Sequence, residues 1–150
     1  MSHDTLERHL LDLGIQPTGP SLRATPPEDI EQRTGQALPD ALRWLFTRFG
    51  GSRFPEGAFY FDRRYGQDVM IGWLLDRDEI LDALDTWEDV LPANLVPIAN
   101  DGGDNLLLVD GEGAVWFHQH DKAEPPYLVD ESLEHFLGSL HREQQEPAGG

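Results

Sequence analysis

Residues 95–121, from Leu95 to Asp121, read LVPIANDGGDNLLLVDGEGAVWFHQHD, and their pattern decides the fold. Leu106, Leu107, Leu108 and Val109 form a short apolar run, Asp110-Gly111-Glu112-Gly113 supplies turn residues, and Ala114 to Phe117 is a second run rich in β-formers. Two such runs about a tight turn predict a β-hairpin. Ahead of them, Asn100-Asp101-Gly102-Gly103-Asp104 joins side chains that bond their own backbone to two glycines that accept positive φ, so the chain reverses just before the hairpin.

The same stretch holds the only histidine pair at strand spacing. Residues two apart on a strand share a face, so His118 and His120 could present both rings to one ion, with Asp101, Asp104, Asp110 and Asp121 near in sequence. With Val109 opposite Ala114 across a four-residue loop, that face also carries Asn105, Leu107 and Trp116, and Leu106, Leu108, Val115 and Phe117 fill the core face. A lone His-x-His-Asp string recurs by chance, however, and histidines bonded to polar neighbours account for it more simply. The sequence therefore names no metal ligand set, no cofactor and no catalytic residue. There is no cysteine for thiol chemistry, no nucleophile elbow and no phosphate loop, and Asp101-Gly102-Gly103-Asp104 lacks the ligand spacing of a calcium loop.

Outward from this centre, the chain alternates helical and strand patterns. Ser2 to Leu13 places Leu6, Leu10 and Leu13 on one side and stops at Gly14, an accessory N-terminal helix followed by a Pro/Gly/Ser/Thr linker, together residues 1–26. Thr25 and Glu28 have capping-box spacing ahead of a short helix that ends at Gly35. Leu38-Pro39-Asp40 opens a core helix with Leu42, Leu45, Phe46 and Phe49 inward, closed by Gly50-Gly51. Strands are expected at Ala58–Asp62 and Asp68–Leu75, joined by Arg63-Arg64-Tyr65-Gly66, the one basic cluster. A helix follows over Arg77–Val90, then the hairpin, a short strand at Tyr127–Val129, and a last helix from Glu131 to about His141. The polar tail 143–150 reads as disordered. This order argues an α+β domain over residues 27–142 with a central, curved, mainly antiparallel sheet.

Twenty-eight acids against eleven bases give a net charge of −17, which repels phosphate backbones and anionic lipid. Neither nucleic acid nor membrane is an expected direct partner, whereas a basic protein suits the field. The N-terminus lacks an apolar leader, and no run reaches the length of a membrane span, so a cytoplasmic location is expected. On the Arg77–Val90 helix, Asp78, Asp82, Asp85 and Asp89 recur at i, i+4, i+7 and i+11, opposite Ile80, Leu84, Trp87 and Leu91, with Glu88 beside them. Aspartate is a poor interior helix former, and like charges at i,i+4 cost about 0.2–0.5 kcal/mol per pair with no lysine nearby to offset them. Asp78, Asp82, Asp85, Glu88 and Asp89 are the candidate partner-binding residues.

The ordered set of Leu38-Pro39-Asp40, Phe49-Gly50-Gly51, Ile71-Gly72-Trp73, Val96-Pro97-Ile98-Ala99, Asp101-Gly102-Gly103-Asp104 and His120-Asp121 resembles the SUKH superfamily in its Smi/Knr-like branch, over roughly Pro27 to Leu140. The resemblance implies helices around a curved antiparallel sheet and no catalytic activity. Many bacterial members are cytoplasmic immunity proteins that neutralise toxin domains, often nucleases; eukaryotic relatives are regulatory interaction modules. Asp101, Gly102, Gly103 and Asp104 then read as a fold-signature turn. Three functions remain in view: an immunity protein, a regulatory scaffold, and a metal-dependent hydrolase using His118 and His120.

Overall fold

The computed structural model of the protein describes residues 3–17, 27–92, 94–103, 105–121 and 124–142. Asp104, Lys122, residues 18–26 of the expected linker with Thr25, and the tail from residue 143 lie outside them. Helices α1 (His3–Asp12), α2 (Pro27–Thr34) and α3 (Asp40–Phe49) precede strands β1 (Arg53–Asp62) and β2 (Gln67–Leu74). Helix α4 (Arg77–Thr86) leads to β3 (Val96–Asn100), β4 (Leu106–Val109), β5 (Val115–His118), β6 (Tyr127–Asp130) and α5 (Leu133–Ser139). The six strands form one antiparallel sheet in the order β1-β2-β3-β4-β5-β6, each pairing only with its neighbours in sequence. The α+β architecture with a curved sheet and surrounding helices is therefore as the sequence implied.

Three local departures have physical causes. Strand β1 begins at Arg53 rather than Ala58: Arg53 faces Trp73 and Ala58 faces Ile71, so residues 54–57 bulge against Gly72 alone. Gly57, at φ +75°, sits in that bulge, where a Cβ would come within 3.0 Å of Met70. Strand β3 was not legible, because Pro97 cannot donate to a ladder; the register shifts between Pro97 and Ala99 to accommodate it. Helix α4 stops at Thr86, four residues short of the expected end, and Val90 and Leu91 donate back to the Trp87 carbonyl at 3.0 and 2.9 Å in tight turns before Pro92.

The hairpin register also differs from the expected one. Val109 pairs with Val115, not Ala114, and Leu106 lies opposite His118. Asp110 sets the longer loop: its carboxylate accepts from Glu112 N (2.9 Å), Ala114 N (3.0 Å) and Trp116 Nε1 (3.0 Å). Trp116 and His118 consequently share a face with Leu106 and Leu108, and Leu107, Val109, Val115 and Phe117 share the other. All four residues of β4 are buried, so no polar alternation in the sequence could have fixed this register.

A single core runs through the molecule. It joins Leu42, Leu45, Phe46 and Phe49 of α3 and Phe136 and Leu137 of α5 to the sheet, and it includes Leu6 and Leu10 of α1, both 0% exposed. His9 Nε2 lies 2.7 Å from the Leu140 carbonyl, and the His3 ring stacks on Trp44 at 4.9 Å. The outer edge of β1 is covered at one point, where Phe59 and His141 exchange backbone hydrogen bonds of 2.8 and 2.9 Å. No helix among the described residues is long and apolar enough to cross a membrane.

Candidate partner surface

Helix α4 owes its position to a capping box formed by Asp76 and Glu79, a spacing present in the sequence but not used to place the helix start. Asp76 Oδ1 accepts from Glu79 N at 2.9 Å, and Glu79 Oε1 accepts from Asp76 N at 3.2 Å. Glu79 Oε2 also accepts from Trp73 Nε1 at 3.0 Å, so one carboxylate satisfies the helix start and fastens it to β2. Ile80 is buried, and Leu84, Trp87 and Leu91 are partly buried against the core. The opposite face presents Asp78, Asp82 and Asp85 to solvent; Glu88 and Asp89, also exposed, follow in the turns rather than on the helix.

The stripe is less uniform than its spacing suggested, because arginines do what lysines were expected not to. Arg33 of α2 donates to Asp85 at 2.8 Å, and Arg77 donates to Asp78 at 2.9 Å and to Asp29 of α2 at 2.6 Å. These carboxylates raise both guanidinium pKa values, the Asp85 bond dominating at Arg33 and the Asp29 bond at Arg77. The pairs brace α2 against α4. Among the described residues, Asp82, Glu88 and Asp89 enter no ion pair.

Between α4 and the sheet lies a groove of about 360 Å³ bordered by Glu79, Asp82, Trp87, Leu106 and His120. The two histidines of the hairpin separate here. His118, 1% exposed, packs against the Trp87 ring at 4.9 Å, and neither of its nitrogens has a hydrogen-bond partner. His120 is exposed beyond the strand end, where Asn105 Oδ1 lies 3.0 Å from its backbone nitrogen and 2.9 Å from Nδ1. Asn105 Nδ2 donates to Asp101 Oδ2 at 2.8 Å, tying the hairpin end to the preceding turn. Among the described residues no three histidine, aspartate or glutamate side chains come together as metal ligands.

Burial, with a smaller contribution from His120, holds the His118 imidazole below its ordinary pKa. The unfolded chain takes up this proton near pH 6.5 whereas the folded chain resists it, so stability is full above that pH and falls as pH drops below it. We expect urea midpoints to decline from pH 7 to pH 5.5 with a contribution of at most about 1.4 kcal/mol per pH unit. His118→Leu should flatten that decline; an equally steep variant would show that His118 is not its source.

The described part of the turn ahead of β4 is held by its own side chains. Gly102 N donates to Asn100 Oδ1 and Gly103 N to Asp101 Oδ1, both at 2.7 Å, while Asn105 N reaches Asp101 Oδ1 at 3.1 Å. Gly102 takes φ +91°; Gly103 does not have positive φ. These bonds fix the chain reversal that leads into β4.

A second concavity of about 880 Å³ opens between β1, β6 and α5, lined among others by Tyr60, Asp62, Arg63, Leu128 and His135. Phe61 and Leu128 are exposed there, at 57% and 47%. Its end is closed by the basic loop: Arg64 stands over the rings of Tyr127 (4.5 Å) and Tyr65 (5.7 Å) and donates to Glu124 at 3.2 Å. Asp62 accepts from the Tyr127 hydroxyl, from Arg64 N (2.8 Å) and from Tyr65 N (3.3 Å). Burial, then the bond to Asp62, pushes the Tyr127 phenol well above its usual pKa, which keeps it a donor. The sequence reading missed this clasp, since nothing local in Asp62 or Tyr127 announces a partner 65 residues away.

Comparison with known proteins settles the family. A model described as the SMI1 / KNR4 family (SUKH-1) matches residues 27–139. The chain belongs to that family. Its SUKH-1 span runs from the first residue of α2 to the last of α5, and therefore leaves out α1, whose leucines nonetheless fill the same core. The chain is also similar to an SPbeta prophage-derived uncharacterized protein, YokK, of Bacillus subtilis (strain 168): 26% identical, with 75% of this chain and 71% of the relative covered. Both the acidic helix and the signature turn lie inside the SUKH-1 span.

Proposed function

We propose that the protein is a non-catalytic, cytoplasmic immunity protein that binds and neutralises a cognate toxin domain, such as a nuclease, through the acidic surface of Asp78, Asp82, Asp85, Glu88 and Asp89. Membership of the SMI1 / KNR4 family supports a protein-binding role of this kind. The observation that carries the choice of surface is that Asp82, Glu88 and Asp89 are exposed without ion pairs among the described residues, in a chain of net charge −17. A domain that handles nucleic acid carries the complementary field, so encounter is fast and the wrong partners are repelled. Neutralisation is by occlusion, and needs no cofactor, nucleic acid or membrane contact.

The test begins with co-purification against the product of the neighbouring gene, followed by association kinetics. Combining Asp82→Asn, Glu88→Gln and Asp89→Asn should slow association about tenfold or more at low salt and weaken its salt dependence. An unchanged rate at low salt would place the contact elsewhere. A neighbouring product that binds but has no toxic activity would favour a regulatory scaffold instead.

A further inference from the structure

The groove between α4 and the sheet differs chemically from the rest of the acidic surface. Glu79 and Asp82 stand at its rim, Trp87 forms an aromatic wall, and Leu75 and Leu106 supply apolar lining. Its volume of about 360 Å³ lies at the small end of ligand pockets, enough for one long side chain rather than a large molecule. Glu79 accepts two hydrogen bonds, and Asp82 has no ion pair among the described residues. Asp78 and Asp85, in contrast, are each paired with an arginine.

We infer that this groove is a receptor for one arginine side chain of a partner protein, which deepens the docking role proposed for α4 and rests on it. Charge complementarity selects a cation: two carboxylates line the groove, no arginine or lysine among the described residues does, and Leu75, Ala83, Trp87 and Leu106 give it an apolar part beside the polar Thr86, Asn100 and His120. The choice of arginine over lysine follows from shape. A planar guanidinium stacks on an indole face and donates its fork of N–H groups to a carboxylate, and its methylene stem lies against leucine, whereas an ammonium is strongly hydrated and gains less from an aromatic wall. His118 lies directly opposite Leu106 and against Trp87, both of which line the groove, and its nitrogens are the only buried, unpartnered side-chain nitrogens among the described residues. An interface anchored by an arginine in a desolvated pocket concentrates its binding energy at that point.

The probe is the tripeptide acetyl-Gly-Arg-Gly-amide, titrated into the full 15N-labelled chain and compared with the same peptide carrying norleucine or lysine. The arginine peptide should give saturable shifts centred on the Trp87 indole N–H and on the amides of Ala83, Thr86 and His120. Norleucine should give none, and lysine should bind at least threefold more weakly. Asp82→Asn, an exposed change that leaves the fold intact, should weaken the arginine peptide at least fivefold; Glu112→Gln, at the hairpin tip, should leave it within twofold. Equal weakening by both variants would reduce the effect to general acidic attraction and overturn the receptor. So would shifts spread over the whole acidic surface or equal binding of arginine and norleucine. Since the titration needs no toxin, failure to find a toxin partner and failure of the groove remain separate results.

Discussion

Replacing Leu10 by alanine should lower the stability of the folded chain by about 2–5 kcal/mol in urea denaturation. Leu10 lies on α1, outside the span shared with the SUKH-1 family, yet it is fully buried beside Leu6. Truncation removes apolar contact and leaves a cavity that its neighbours cannot close, because α1 is held at both ends of its contact with the core. The His3 ring stacks on Trp44 (4.9 Å) at its start, and toward its end His9 Nε2 lies 2.7 Å from the Leu140 carbonyl and Arg142 Nη2 donates to the Asp12 carbonyl (2.6 Å). The control is Leu11→Ala, one residue on and 40% exposed, which should change stability by no more than about 0.5 kcal/mol. Equal losses at the two positions would show that α1 is an appendage.

The second large effect is at the clasp of the sheet. Asp62, 2% exposed, accepts hydrogen bonds from three donors, and Asp62→Ala strands all of them. A loss of about 2–4 kcal/mol is expected, because each buried group left unpaired costs about 1–3 kcal/mol and the turn retains partial access to water. Tyr127→Phe alone should cost about 1 kcal/mol, and less when Asp62 is already alanine, the sign of a shared bond in a double-mutant cycle. Amide exchange in Tyr127–Asp130 should quicken in both variants. Additive losses in the cycle would sink the assignment of the bond as the clasp.

What could be read from the sequence follows from how far apart the interacting residues lie. The core helix α3, the antiparallel class, the signature turn and the hairpin rest on neighbours in sequence, and each was legible from spacing and turn chemistry. The hairpin register failed by one residue because the Asp110 side chain, not the apolar pattern, sets the loop. Strand β3 escaped notice because its proline needs a bulge supplied by β4. At the candidate surface, the acidic spacing correctly located exposed carboxylates, but not their neutralisation by Arg33 from another helix. The burial of His118 under Trp87 and the groove beside it depend on the placement of α4 over the sheet, and no local pattern carries that.

The neighbour-only order of the sheet has a consequence for how the molecule assembles. Four of the five pairings join strands linked by short loops and only β2–β3 closes across α4, so most of the sheet can zip in succession without long loop closure. The costly ring closures fall at the end: α1 meets α5 across about 130 residues, and His141 completes the rim of β1. During synthesis, Leu6, Leu10 and the naked rim of β1 must wait for the final helix to leave the ribosome. Until then, the chain is a hairpin ladder with an adhesive flank, and the vulnerable interval ends when α5 arrives.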